Sequence, residues 1–132
     1  MNMTFDFENM SLGGFSVGES VSTDSMPIAD KERGYSINIE DGKVIHISVY
    51  LANPSYGFQA YTGDIQKGTE QYSINAFSSC EDIKNIFGEP SDGWNDGVEE
   101  NLEFVVEQYT VEFSWNIDSD SPKLMYFCVG LV

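Results

Sequence analysis

The chain has 132 residues, 41% of them hydrophobic and 14% aromatic, enough for one domain with its own core and too apolar for a disordered segment. Its 22 acids against 6 bases give a formal net charge of −16, a field that repels nucleic acid and anionic lipid and draws in cationic macromolecules. There is no positively charged n-region leading into an apolar h-region and no apolar span of about 18 residues, so neither export nor membrane insertion is expected and the cytoplasm is the expected compartment.

In chain order, the first clear element is a hairpin over Tyr35–Leu51. Ile37 and Ile39 alternate with polar residues, Asp41-Gly42 turns the chain, and Val44 to Leu51 alternates again. A two-residue Asp41-Gly42 turn pairs Ile37 with His46, whereas a three-residue Glu40-Asp41-Gly42 loop with a glycine bulge pairs it with Ile45. The second is preferred, because it gathers Ile37, Ile39, Ile45, Ile47, Val49 and Leu51 on one face.

Ser78–Gly88 carries the signals of a short helix. Ser78 and Glu81 have capping-box spacing, Glu81 and Asp82 suit the positive end, and Cys80, Ile83, Ile86 and Phe87 recur at helical spacing. Gly88 offers a left-handed cap and Pro90 stops continuation. At about two and a half turns such a helix cannot stand alone and must pack on a sheet.

Ser91–Asn101 is polar, glycine-containing and acidic, and is expected as a loop. A second hairpin follows, in which Leu102, Phe104 and Val106 share a face with Tyr109, Val111, Phe113 and Trp115 if the turn lies at Glu107-Gln108; Glu103, Glu107 and Glu112 then point the other way. After an Asp118–Pro122 turn, Leu124–Val132 is apolar at nearly every position, as expected of a central strand covered on both faces, where truncation would be costly.

Lys43–Leu51 also aligns with Lys123–Leu131, sharing Lys, Val and the final Leu. This weak echo, read as a tandem αβ repeat over about 14–60 and 72–132, would place a second helix in Gly14–Asp30. Together these readings give an α+β fold: a single domain, 1–132, mainly an antiparallel β-sheet with one or two short helices packed on one face.

The chemistry is one-sided. Between Asn85 and Pro122 stand ten carboxylates and no lysine or arginine, although folded domains ordinarily intersperse the two signs to limit self-repulsion. Trp94, flanked by Asp92 and Asp96, adds an apolar centre to a charged rim, the composition of an interface anchor. The competing reading folds Trp94 back over the helix–sheet junction. The candidate partner-binding residues are Asp92, Trp94, Asp96, Glu99, Glu100, Glu103, Glu107 and Glu112.

Catalytic parts are missing. His46, the lone histidine, falls on the strand face opposite the isoleucines. One histidine and two scattered cysteines make a zinc site unexpected. Cys80 and Cys128 lack Cys-x-x-Cys spacing and read as reduced, buried small hydrophobes, with a disulfide left open by sequence alone. Neither Asp118-Ser-Asp120 nor Asp92–Asp96 fits a calcium loop, and no nucleophile elbow, phosphate loop or dinucleotide fingerprint occurs. Paired carboxylates could run glycosidase chemistry only with an apolar pocket that a sheet with one short helix hardly provides. No enzyme activity, metal or cofactor is expected.

The segments Gly34–Tyr50, Tyr61-Thr-Gly-Asp64 and Cys80–Pro90, followed by the terminal strands, resemble small bacterial immunity proteins. These are the antitoxins paired with polymorphic toxins such as bacteriocins and contact-dependent growth inhibition toxins. The resemblance covers about half of the chain and carries over no binding residue. It implies a cytoplasmic inhibitor that binds a cognate toxin domain in the producing cell. Charge points the same way, since nuclease toxins need basic surfaces to hold polyanions. The alternatives are a non-catalytic acidic adaptor or structural subunit and, behind it, a small ligand-binding protein. A toxin reading frame immediately upstream would separate the first reading from the adaptor.

Overall fold

The computed structural model describes residues 3–132. Among these residues are twelve strands and one helix: β1 (Thr4–Asp6), β2 (Ser11–Leu12), β3 (Phe15–Ser16), β4 (Ile28–Asp30), β5 (Tyr35–Glu40), β6 (Lys43–Tyr50), β7 (Asp64–Lys67), β8 (Glu70–Gln71), α1 (Cys80–Phe87), β9 (Asp92–Asn95), β10 (Glu99–Val106), β11 (Tyr109–Asn116) and β12 (Lys123–Leu131). Seven of the strands form one antiparallel sheet in the order β4-β5-β6-β12-β11-β10-β9, and a smaller sheet runs β3-β2-β1-β7-β8 with β1 parallel to β7. The fold is α+β and mostly antiparallel, as the sequence leads one to expect.

Alternation decides the packing. On β10 and β11, Leu102 faces Phe113, Phe104 faces Val111 and Val106 faces Tyr109 across the two-residue turn Glu107-Gln108, with Glu107 at φ 58°. β12 lies at the centre of the large sheet, between β6 and β11. Its Phe127 is fully buried, with ring centroids 5.0 Å from Phe5, 5.3 Å from Phe7 and 5.6 Å from Phe113. These contacts tie the inner face of the large sheet to the small one.

The helix completes that layer. Ile83 is fully buried, and the Phe87 ring lies 5.2 Å from Phe7, 5.5 Å from Phe104 and 5.4 Å from Phe113. The indole N–H of Trp115 donates to the Ser78 carbonyl at 2.8 Å, pinning the helix entry to β11. One hydrophobic cluster runs through both sheets and the helix. Where β7 comes alongside β1, a side chain at Gly63 would collide with the Met3 carbonyl and the Tyr61 hydroxyl, so the approach requires glycine.

Several expectations are corrected. The first hairpin turns on Asp41-Gly42 alone (φ 51° and 71°), with Glu40 facing Lys43 and Ile39 facing Val44. The ladder then slips at Ile45, so that Ile37 faces Ile47. Neither register considered from sequence holds. The extra residue lets Val44 and Ile47, both fully buried, share the inner face while Ile45 is only half-buried.

The helix cap sits one residue later than expected. Ser79 accepts from the Asp82 N–H at 3.1 Å and Asp82 accepts from the Ser79 N–H at 2.9 Å. Ser78 is engaged elsewhere, its hydroxyl oxygen accepting from the Asn75 N–H at 3.0 Å and its carbonyl from Trp115. Gly88 has φ 87° and ψ −148°, outside the left-handed helical region, yet its N–H still donates to the Lys84 carbonyl at 2.8 Å.

The segment expected as an acidic loop contains an edge strand, β9, paired with β10. Gly14–Asp30 holds β3, turns and β4 in place of a second helix.

Phe127 is the side chain on which the two layers converge. Phe127→Ala is expected to cost about 3–5 kcal/mol, measured by urea unfolding; a loss below about 1 kcal/mol would contradict this account of the core.

Candidate functional site

The face of the large sheet opposite the core carries the acids. Because residues directly opposite in an antiparallel ladder point to the same side, the register aligns side chains into rows across the strands. One row runs Asp92, Glu103, Glu112, Cys128, Ser48 and Ser36 from β9 to β5. Its first three members are carboxylates on consecutive strands about 4.8 Å apart. Among the described residues the one ion pair is Arg33–Asp30, at 3.8 Å on the far side of the sheet, so no base neutralises this row.

The adjacent row is aromatic and polar: Trp94, Asn101, Ser114, Tyr126 and Tyr50. The loop between β6 and β7 folds onto this row. Tyr50 and Phe58 stack with centroids 3.9 Å apart and planes at 8°, and Tyr56 meets Tyr126 edge to face at 5.6 Å. The Ser55 hydroxyl donates to the Met125 carbonyl at 3.0 Å and holds the loop down. Two phenols then reach carboxylates: Tyr56 donates to Glu99 at 3.3 Å and Tyr126 to Glu112 at 3.4 Å.

The eight candidate residues do not all share this face. Asp92, Trp94, Glu99, Glu103 and Glu112 do. Trp94 is half-exposed at the sheet edge and makes no return to the helix–sheet junction. Asp96 sits in the β9–β10 turn, where it accepts the N–H groups of Glu99 (2.8 Å) and Val98 (2.9 Å), which hold its carboxyl below its ordinary range. Glu107 occupies the turn at the opposite end of β10. Glu100 points inward, where its carboxylate meets the Cys80 thiol. Reading residues 91–101 as a loop hid that alternation.

Tyr56, Asn101, Ser114 and Tyr126 were not singled out from sequence. Ser114 was reachable, since it lies on a strand whose alternation is legible, whereas Tyr126 lies on a strand apolar at nearly every position. Tyr56 was not, because only the fold brings its loop to the sheet. On the same face the exposed His46 ring lies where a side chain at Gly130 would otherwise stand. No three His, Cys, Asp or Glu residues come together for a metal among the described residues. The arrangement suits recognition of cationic groups by carboxylates and aromatic faces.

Burial first, and then Glu112, pushes the Tyr126 phenol up to about 12, and burial first, then Glu100, pushes the Cys80 thiol up to about 12. Folding therefore favours their protonated forms, and that contribution is complete below the ordinary values of 10.0 and 9.0 and is lost as pH climbs toward 12. Stability is expected to decline over this alkaline window, read from urea midpoints at successive pH values; a flat profile would contradict the assignment. The unneutralised row yields a second expectation. Glu103→Lys should stabilise the fold by about 0.2–1 kcal/mol by replacing repulsion toward Asp92 and Glu112 with attraction, and added salt should shrink that gain. A destabilised variant would show that the row is not under repulsion. Comparison with protein-family models, with curated proteins and with solved structures finds no match to this chain.

Proposed function

We propose that the chain is an immunity protein that binds a cognate, basic toxin domain and neutralises it by covering the surface that holds its substrate. The observation that carries this reading is the row Asp92–Glu103–Glu112 on the outward face of the sheet, Asp92 exposed and Glu103 and Glu112 half-buried, with no salt bridge to a base among the described residues. Repulsion among like charges in one ladder row lowers stability, and a cationic partner would convert it to attraction. A nuclease is the toxin class whose polyanionic substrate demands such a basic surface. The inhibitor has no catalytic role and needs no cofactor; it acts in the cytoplasm of the producing cell. Among the described residues no helix is long and apolar enough to cross a membrane.

The test is co-expression with the neighbouring open reading frame, scored by rescue of growth and by co-purification. Association is expected to be fast at low salt and to slow about tenfold or more as the ionic strength rises past physiological values. A Glu103→Lys/Glu112→Lys double variant that still folds should lose protection. Full protection by that variant would sink this reading and leave the acidity a matter of solubility alone.

A further inference from the structure

Three aspartates in this chain are followed directly by glycine, at Asp41-Gly42, Asp92-Gly93 and Asp96-Gly97. Glycine has no side chain to shield its own backbone nitrogen, which is then open to attack the carboxyl carbon of the aspartate before it. The fold treats the three steps differently.

At Asp41-Gly42 the peptide is packed in place. Gly42 is buried against Val21 and Thr23, and its carbonyl accepts from the Val21 N–H at 2.7 Å. At Asp96-Gly97 the two reacting groups are turned apart. The Asp96 carboxylate accepts from the N–H groups of Val98 and Glu99 at 2.9 and 2.8 Å, while the Gly97 N–H donates to the Asn95 side-chain oxygen at 2.9 Å. The same two bonds hold the Asp96 carboxyl below its ordinary range and so favour its ionised form, which does not shed water.

At Asp92-Gly93 the groups meet. The Gly93 N–H donates to Oδ1 of Asp92 at 2.8 Å, one bond away from the carboxyl carbon. Both residues are exposed on β9, an edge strand with a neighbour on one side only. Such an edge opens locally more readily than the interior of a sheet, which gives Asp92 the backbone rotation that ring closure needs. Glycine is required at this position for a separate reason: a side chain at Gly93 would stand 2.8 Å from the Asn101 carbonyl oxygen. β9 lies against β10 only by keeping the residue that leaves Asp92 unshielded.

We propose that Asp92 is a site of spontaneous isoaspartate formation, a backbone modification that detaches the start of β9. The Gly93 nitrogen bonds to the carboxyl carbon of protonated Asp92, the C–OH bond breaks, and one water leaves with the amide proton, closing a succinimide. Water then opens the ring. Cleavage at the side-chain carbonyl restores aspartate, whereas cleavage at the backbone carbonyl leaves the main chain running through Cβ and Cγ, with a free α-carboxylate. One water is lost and one regained, so mass and charge are unchanged, and no partner is needed. The chain is one carbon longer between two points that fix β9 to β10. On one side the Ser91 N–H and hydroxyl both donate to the Glu103 carbonyl, at 2.7 and 3.1 Å, and on the other Trp94 faces Asn101. The lengthened segment cannot hold both, and the Asp92 carboxylate leaves its place beside Glu103.

The experiment ages the full chain for several weeks in warm, mildly acidic buffer, with a second sample in urea. Electron-transfer fragmentation of the peptides then separates isoaspartate from aspartate at each step. In the folded chain, isoaspartate at Asp92 is expected to exceed that at Asp41 and at Asp96 about tenfold or more. In urea the three should converge. Asp92→Glu, which keeps the charge but has to close a larger and slower ring, should remove the product at this step and leave the other two as they were. Amide hydrogen exchange of the aged chain should show protection lost along β9 and kept along β11 and β12.

Equal amounts at the three steps in the folded chain, more at Asp41 or Asp96 than at Asp92, or none at Asp92 would overturn the assignment. The same preference for Asp92 in urea would show that the fold does not select it and would overturn it as well. Isoaspartate at Asp92 with β9 still fully protected would overturn the detachment.

Discussion

On β10 and β11 the inward side chains are Leu102, Phe104, Val111 and Phe113, and the period-two geometry of a strand leaves Glu103 and Glu112 no position but the opposite face, next to one another. Each large apolar side chain taken out of water contributes about 1.5–3 kcal/mol, whereas a like-charged pair facing across strands costs about 0.2–1 kcal/mol. The core therefore sets the register and the acids follow. Phe127 extends the same logic to β12, where its contacts with Phe5 and Phe7 hold the small sheet against the large one.

How much of this can be read from the chain depends on whether polarity alternates locally. The β10–β11 hairpin and the central β12 are legible because their apolar residues recur at every second position, or nearly every position, and the turn at Glu107-Gln108 follows from matching the two faces. β9 is not legible: Asp92-Gly-Trp-Asn has no apolar alternation, and its pairing partner alone makes it a strand. The first hairpin misleads for the opposite reason, since Val44 and Ile45 are both apolar and either could be the inward residue until a bulge at Ile45 decides it.

The small sheet is legible least of all. Its strands run from two to four residues, below the length at which a period can be seen, and β1 finds its parallel partner β7 some sixty positions later in the chain. The candidate face was partly legible. Its acids stand out in the sequence, but which of them share a side depends on strand boundaries that the sequence leaves undefined, and Glu100 falls on the wrong side for that reason. Tyr56 reaches Glu99 and Tyr126 only because its loop is tied down at Ser55 and Phe58.

The separation of the two sides of the large sheet has a consequence for how such a chain can change over generations. Side chains that fix the melting behaviour and side chains that meet the outside interleave along β10 and β11, yet they project to opposite faces of the sheet. Substitutions whose side chains have no partner in common combine nearly additively. The outward residues can therefore be exchanged while the frame beneath them is kept, and one scaffold can be refitted to a new counterpart without having to be folded anew.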